Sequence, residues 1–171
     1  RGDDRPVAFE PCGVPAFRPE MLTEADRSAY RDIQLRKMDR VYFTVDNCNF
    51  MLRDVEKLLP GRWLNDNIIN GYMKLLQLRD GRLEGGPSCH FCKTFLIIHI
   101  FPDYDYQKVQ RWTAERKLKT WGQVKKSILE CDLVFFPVNL HGNHWILVVA
   151  DLRQRSIRLY NSLSSGYVRM H

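Results

Sequence analysis

His144 and Asn161 are the two residues whose types and spacing point most directly to chemistry. Between them run His144-Trp145-Ile146-Leu147-Val148-Val149-Ala150 and Ser156-Ile157-Arg158-Leu159-Tyr160. Both runs are rich in β-branched and aromatic residues, and the short polar link Arg153-Gln154-Arg155 makes them a hairpin. A turn centred near Leu152-Arg153 sets position 144 opposite position 161, with Cβ atoms about 5 Å apart on one face. A carboxamide oxygen held against one ring nitrogen fixes the imidazole tautomer, as a general base serving a cysteine or serine requires. The same spacing also suits a packed, hydrogen-bonded histidine at a strand start, so both readings stand on spacing alone. Asp151 does not compete as partner, because it lies roughly 23 Å along an extended strand from His144 and on the opposite face.

A base of this kind needs a nucleophile, and the chain offers Cys12, Cys48, Cys89, Cys92 and Cys131. Cys89 or Cys92 followed by His144 and Asn161 would reproduce the Cys, His, Asn order of papain-like enzymes. Neither lies at an evident helix N-terminus that would lower a thiol pKa, which argues against the role. Cys89-His90-Phe91-Cys92 also has the look of half a zinc site, but no second ligand pair follows. Cys48 and Cys131 read as small buried hydrophobes. An odd cysteine count without a regular framework indicates a reducing compartment.

The elements that would position these residues follow from the rest of the 171-residue chain, whose 44% hydrophobic content is that of one globular domain. No apolar run is long enough for a membrane span, and the net charge of +6 is strewn along the chain, which argues against a nucleic-acid footprint. Residues 1–22, rich in proline, read as an arm, and residues 23–171 as the domain. Thr23-Glu24-Ala25-Asp26 opens a helix extending toward Met38, and Val41 to Val45 is a strand closed by Asp46-Asn47. Leu52, Val55, Leu58 and Leu59 fit a helix stopped by Pro60-Gly61. Asn65 or Asp66 caps the next, whose face of Ile68, Ile69, Tyr72, Met73, Leu75 and Leu76 must be buried. Phe95 to Ile98 reads as a buried strand, 106–126 as helical with a break at Trp121-Gly122, and Leu133 to Val138 as the strand before the hairpin.

Two further motifs carry a family resemblance. Arg62-Trp63-Leu64-Asn65-Asp66-Asn67-Ile68-Ile69-Asn70 resembles the Trp-Leu-Asn-Asp helix start of the SUMO/sentrin-specific cysteine proteases. Phe136-Pro137-Val138-Asn139-Leu140, His144-Trp145, Asp151-Leu152 and Tyr160-Asn161-Ser162-Leu163 follow that family's histidine strand and the next in order and spacing. The resemblance implies an α+β fold with a central mixed sheet flanked by helices, of the papain-like superfamily. It implies that His144 is the catalytic histidine and that Asn161 stands where the family has an orienting aspartate. It gives substrate-binding roles to Trp63, Trp145 and Asp66, the two indoles covering a narrow channel for a modifier's Gly-Gly tail.

By the same resemblance the partner is SUMO or a related ubiquitin-like modifier and its conjugates, the location is nuclear or nucleo-cytoplasmic, and no metal or organic cofactor is required. The family's nucleophile sits in a downstream Asp-Cys-Gly segment that this sequence lacks, so the chain is expected to be an inactive fragment of an active parent. The alternative is a modifier-binding module without catalysis.

Overall fold

The computed structural model describes residues 23–35, 41–45, 48–100, 104–163 and 167–170. Two compact units divide the chain between Lys37 and Met38. The arm expected over 1–22 and the turn expected at Asp46-Asn47 lie outside the described residues.

In the first unit, α1 spans Glu24–Gln34. Thr23 Oγ1 accepts the Asp26 N–H at 3.2 Å while the Asp26 carboxylate accepts the Thr23 N–H at 2.8 Å, a reciprocal cap that satisfies two otherwise orphaned donors.

The second unit opens with an antiparallel hairpin, β1 (Val41–Val45) and β2 (Cys48–Met51), in which Phe43 stacks on Phe50 at 4.5 Å. β2 was not foreseen. A short helix, α2 (Leu52–Val55), runs into a 3₁₀ turn, so the predicted helix is half the expected length and Leu58 faces solvent. Then comes α3 (Asp66–Asp80), capped by Asn65, whose side-chain oxygen accepts the Ile68 N–H at 3.0 Å.

The main sheet has the order β3-β4-β5-β6-β7. Its strands are β3 (Cys89–Phe91), β4 (Leu133–Leu140), β5 (His144–Asp151), β6 (Ser156–Tyr160) and β7 (Tyr167–Met170). β3 and β4 are parallel and the other neighbours antiparallel, so the sheet is mixed, and the doubly apolar β5 is its middle strand. Residues of opposite parity on β4 enter two cores. Leu133 and Phe135 pack with Met73 and Trp121 on one face, and Val134 and Phe136 with Leu96 and Trp112 on the other. Helix α3 and α5 (Glu115–Trp121) serve the first face, and α4 (Tyr106–Trp112) the second. Gly122, at φ 92°, ends α5 in the left-handed conformation that glycine tolerates. No helix among the described residues is long and apolar enough to cross a membrane.

Two further expectations need correction. Phe95 to Ile98 is not a strand: it is a turn leading into a 3₁₀ helix, Ile97–His99, with Ile98 exposed. The edge strand is Cys89–Phe91 instead, a run too short to show periodicity. On α3, Ile68 and Met73 are buried as expected, but Tyr72 and Leu75 face outward. Their places go to Lys74 and Gln77, which are buried through hydrogen bonds to Thr120 O and to Cys89 O.

The outer edge of β3 is closed by side chains. The Cys89 N–H donates to Asp80 at 3.1 Å, and the Cys89 carbonyl accepts from Gln77 at 3.2 Å and Gln123 at 2.9 Å. The Phe91 N–H donates to Gln77 at 3.0 Å, and its carbonyl accepts the Trp121 indole N–H at 2.6 Å. An edge strand otherwise leaves these groups unpaired.

Candidate active site

The β4–β5 connection is a tight turn, with His141 at φ 53° and Gly142 at φ 78°, and His144 pairs with Leu140 at its mouth. That fixes the base of the histidine side chain on two hydrogen-bonded strands. β6 ends at Tyr160, and the next residue reaches back: His144 Nε2 lies 2.7 Å from Asn161 Oδ1.

The register that achieves this differs from the expected one. Leu147 pairs with Tyr160 and Asp151 with Ser156, so the turn is centred one residue later, between Arg153 and Gln154, and Asn161 falls diagonal to His144, not opposite it. Parity is unchanged, so both side chains stay on one face and a diagonal pair remains within side-chain reach.

The amide orientation is fixed independently, because Asn161 Oδ1 also accepts the Leu163 backbone N–H at 3.0 Å. An oxygen there can only accept, so the hydrogen of the neutral ring lies on Nε2 and Nδ1 is bare. Nδ1 has no hydrogen-bond partner among the described residues, which leaves a lone pair free to take a proton.

Trp145, next along β5, points to the other face and donates its indole N–H to the Leu64 carbonyl at 2.8 Å. This ties the histidine strand to the segment before α3. That segment is held from beneath by Asp54, which is 2% exposed. Its carboxylate accepts from the Met51 N–H at 3.1 Å and from the Asn65 and Asn67 side-chain amides at 2.8 and 3.1 Å. Burial alone would raise the Asp54 pKa, but these three donors and the Arg53 charge outweigh it and hold the carboxyl below its ordinary value.

A cleft of about 630 Å³ lies along this junction, with Trp63, Asp66, Phe95, Val138, Asn139 and Trp145 in its walls. Trp63 is 64% exposed, which rules out a core-packing role for it. Asp66 is exposed at the first turn of α3. Trp145 also borders a second, apolar hollow of about 510 Å³ whose rim includes Ile69, Met73, Tyr160 and Asn161. The structure thus gathers His144, Asn161 and Trp145 at one end of the sheet, and Trp63 and Asp66 share a cleft with Trp145.

The cysteines are placed elsewhere. Cys89, Cys92 and Cys131 are buried. Burial, joined by the nearby Asp80 carboxylate, pushes the Cys89 thiol up to about 12 and the Cys131 thiol up to about 11, and burial raises Cys92 as well. The Cys92 N–H donates to the carbonyl of Phe135, which lies roughly 16 Å along β4 from Leu140, the strand partner of His144. No group of three potential metal ligands occurs among the described residues.

Sequence reasoning missed Asp54 and the Leu64 carbonyl. An acid set between the apolar Leu52 and Val55 was the available signal for the first, and a backbone acceptor leaves none.

Residues 62–170 match the family described as the Ulp1 protease family, C-terminal catalytic domain. The ubiquitin-like-specific protease ESD4 of Arabidopsis thaliana is 32% identical over 149 residues, covering 84% of this chain and 29% of that protein. The X-ray structure of the C-terminal Ulp1 protease domain in complex with Smt3, the yeast ortholog of SUMO, superposes with a TM-score of 0.62 at 28% identity. It covers 85% of this chain and 59% of that one. A structure of the SUMO protease Ulp1 with its catalytic cysteine oxidised to a sulfenic acid gives a TM-score of 0.65 at 28% identity, over 90% of this chain and 60% of that one. The chain therefore spans less than two thirds of the length of each. With these motifs, this mixed sheet and this match over most of its length, the chain belongs to the Ulp1 protease family.

Proposed function

We propose that this chain supplies the general base and the substrate channel of a thiol protease that hydrolyses the bond after the C-terminal Gly-Gly of SUMO or a related ubiquitin-like modifier. The observation that carries the proposal is the 2.7 Å contact between His144 Nε2 and Asn161 Oδ1 at the end of the sheet where Trp145 enters the Trp63 cleft. A diglycine tail offers no side chain to grip, so flat aromatic walls select it by thinness. Trp63 and Trp145 are those walls, and Asp66 at the cleft margin pairs with a basic group on the modifier.

In the reaction, His144 Nδ1 takes the proton of a thiol and the thiolate attacks the scissile carbonyl carbon. The C–N bond breaks, the imidazolium returns the proton to the departing amine, and a thioester remains for water to hydrolyse with the same base. Asn161 keeps the ring in the tautomer that leaves Nδ1 free. Neither step calls for a metal or an organic cofactor.

The burial of Cys89, Cys92 and Cys131 supports a nucleophilic thiol other than these three, and by this reading the chain alone does not hydrolyse its substrate. The same placement favours the second reading, a modifier-binding module without catalysis. A nuclear or nucleo-cytoplasmic location accompanies either.

Two measurements separate them. The 171-residue chain, titrated with a SUMO ending in Gly-Gly, should show shifts of the Trp63 and Trp145 indole resonances that a SUMO lacking the last two residues does not produce. The full gene product, mixed with a SUMO bearing a thiol-reactive C-terminal group, should form a covalent adduct that His144→Ala slows or abolishes. Binding without an adduct selects the binding module, and no binding to any modifier rejects both.

A further inference from the structure

The wall of the cleft that carries Trp63 is held by few bonds. Residues 62–65 belong to no helix or strand, and Arg62, Trp63 and Leu64 are exposed. Trp63 makes no hydrogen bond to a described residue, so its place depends on its neighbours. Among the described residues, 63–65 have two ties to elements other than α3. One is the Leu64 carbonyl, which accepts the Trp145 indole N–H at 2.8 Å, and the other is the Asn65 side-chain amide, which donates to Asp54 Oδ1 at 2.8 Å. A bond at one carbonyl fixes a distance and leaves the segment free to swing about it. The second tie, to a different element, removes that swing.

The two oxygens of Asp54 are divided between elements. Oδ2 accepts the Met51 N–H at the end of β2, and Oδ1 accepts the Asn65 and Asn67 amides at the start of α3. Only a side chain that accepts on both sides can do this, because an asparagine at 54 would turn its NH₂ toward either the Met51 N–H or the two amides. Asn65 is committed at both ends as well. Its Oδ1 takes the Ile68 N–H at 3.0 Å, so its nitrogen faces Asp54. Asn65 lines the cleft, whereas Asp54 stands behind the wall and does not. The opposite side is anchored independently, since Trp145 pairs with Asn139 and His144 with Leu140 in the sheet. Releasing Asp54 therefore frees the Trp63 wall and leaves the base in place.

We propose that Asp54 is a positioning residue for specificity: acting through Asn65, it holds the Trp63 wall at the separation from Trp145 that admits glycine and excludes a residue with a side chain. This deepens the proteolytic reading and rests on its assignment of Trp63 and Trp145 as channel walls. Selection by thinness needs walls that do not give, because a methyl group is rejected only where the atoms it meets cannot move aside. A wall that shifts by about 1 Å loses that power. Asp54 touches neither substrate nor reacting atoms, so its effect falls on which tail is accepted and not on the proton transfer at His144.

The test is a calorimetric titration of the 171-residue chain with two ligands, a SUMO ending in Gly-Gly and the same SUMO ending in Ala-Ala. The unaltered chain should bind the first more tightly. Asn65→Ser keeps an oxygen to cap α3 and removes the amide that reaches Asp54. It should cut the ratio of the two affinities about tenfold, the scale of one hydrogen bond to a charged group, and Asp54→Asn should cut it at least as far. Asn65→Ser carries the test if Asp54→Asn does not fold. Lost stability alone leaves the ratio in place, because both affinities scale alike with the folded fraction. Val134→Ala, which opens a cavity in the core on the sheet's other face, is the control and should keep the parent ratio. A parent-like ratio in folded Asn65→Ser or folded Asp54→Asn, or an equal fall in Val134→Ala, would overturn the positioning role and leave the channel reading standing. Equal affinity of the unaltered chain for the two ligands, or no binding of either, removes the channel reading and this assignment with it.

Discussion

The indole N–H of Trp145 donates to the carbonyl of Leu64 at 2.8 Å, joining the residue beside the candidate base to the residue beside Trp63. One hydrogen bond thus sets the spacing between the two indoles that wall the cleft. Trp145→Phe keeps the ring face and removes the donor. A single net hydrogen bond contributes about 0.5–1.5 kcal/mol, so affinity for a Gly-Gly-ended modifier should fall roughly threefold to tenfold. Calorimetric titration measures this, and an unchanged affinity would remove the bond from any role in shaping the cleft.

Asn161→Ala takes away the acceptor that holds His144 Nε2–H. The ¹⁵N shifts of the ring should change from those of a single Nε2–H tautomer to those of a mixture. In the full gene product, adduct formation should slow by about 10²-fold or more, the usual scale of general-base contributions. Asn161→Asp restores orientation and adds a charge that stabilises the imidazolium, so it should react at least as fast as the parent. A slower Asp variant would contradict the orienting role.

Asp54 couples stability to acidity. Its carboxyl is held below the ordinary value in the folded state, so it stabilises the fold at pH above the unfolded value of about 3.9. That contribution is lost as pH falls through the lower, folded-state pKa. Asp54→Asn should therefore lower the unfolding free energy at pH 7 and flatten its decline below about pH 4. Urea melts at pH 7 and pH 3 check both, and parallel pH profiles for the two proteins would refute the linkage.

Gly71 lies in α3 against Phe50, and a Cβ there would collide with the Phe50 ring. Gly71→Ala should destabilise by about 1–3 kcal/mol despite alanine's better helix propensity, because the ring is itself stacked on Phe43 and cannot yield freely. Phe50→Leu in the same chain should recover part of the loss, a coupling that a double-mutant cycle reads directly.

Thiol labelling tests the cysteine environments. Cys89, Cys92 and Cys131 are buried with raised pKa values, so native-state alkylation at pH 8 should run about a hundredfold or more slower than in denaturant, whereas the part-exposed Cys48 labels readily. Peptide mapping identifies the sites, and rapid native labelling of Cys92 would reopen it as a nucleophile.

The histidine hairpin was legible because β5 and β6 are both rich in β-branched and aromatic residues and a short polar turn joins them. Its turn was placed one residue early, since Leu152 to Arg155 gives several turn geometries and none is marked by a glycine or an Asn-Gly pair. The start of α3 was legible from Asn65, a cap whose role is local in sequence. Residues satisfied from afar were not. Lys74 and Gln77 fell outside the apolar face drawn for α3, yet both are buried against partners 46 and 12 residues away. Phe95 to Ile98 misled for the opposite reason: four apolar residues look like a strand whether or not a neighbouring strand is there to pair with them.

The seal along Cys89–Phe91 makes the sheet one-sided. With Asp80, Gln77, Gln123 and Trp121 occupying every outward backbone group of residues 89 and 91, no incoming polypeptide can dock there in β-fashion. Among the described strands, growth of the sheet by augmentation or by self-association has a single available margin, the backbone of Tyr167–Met170.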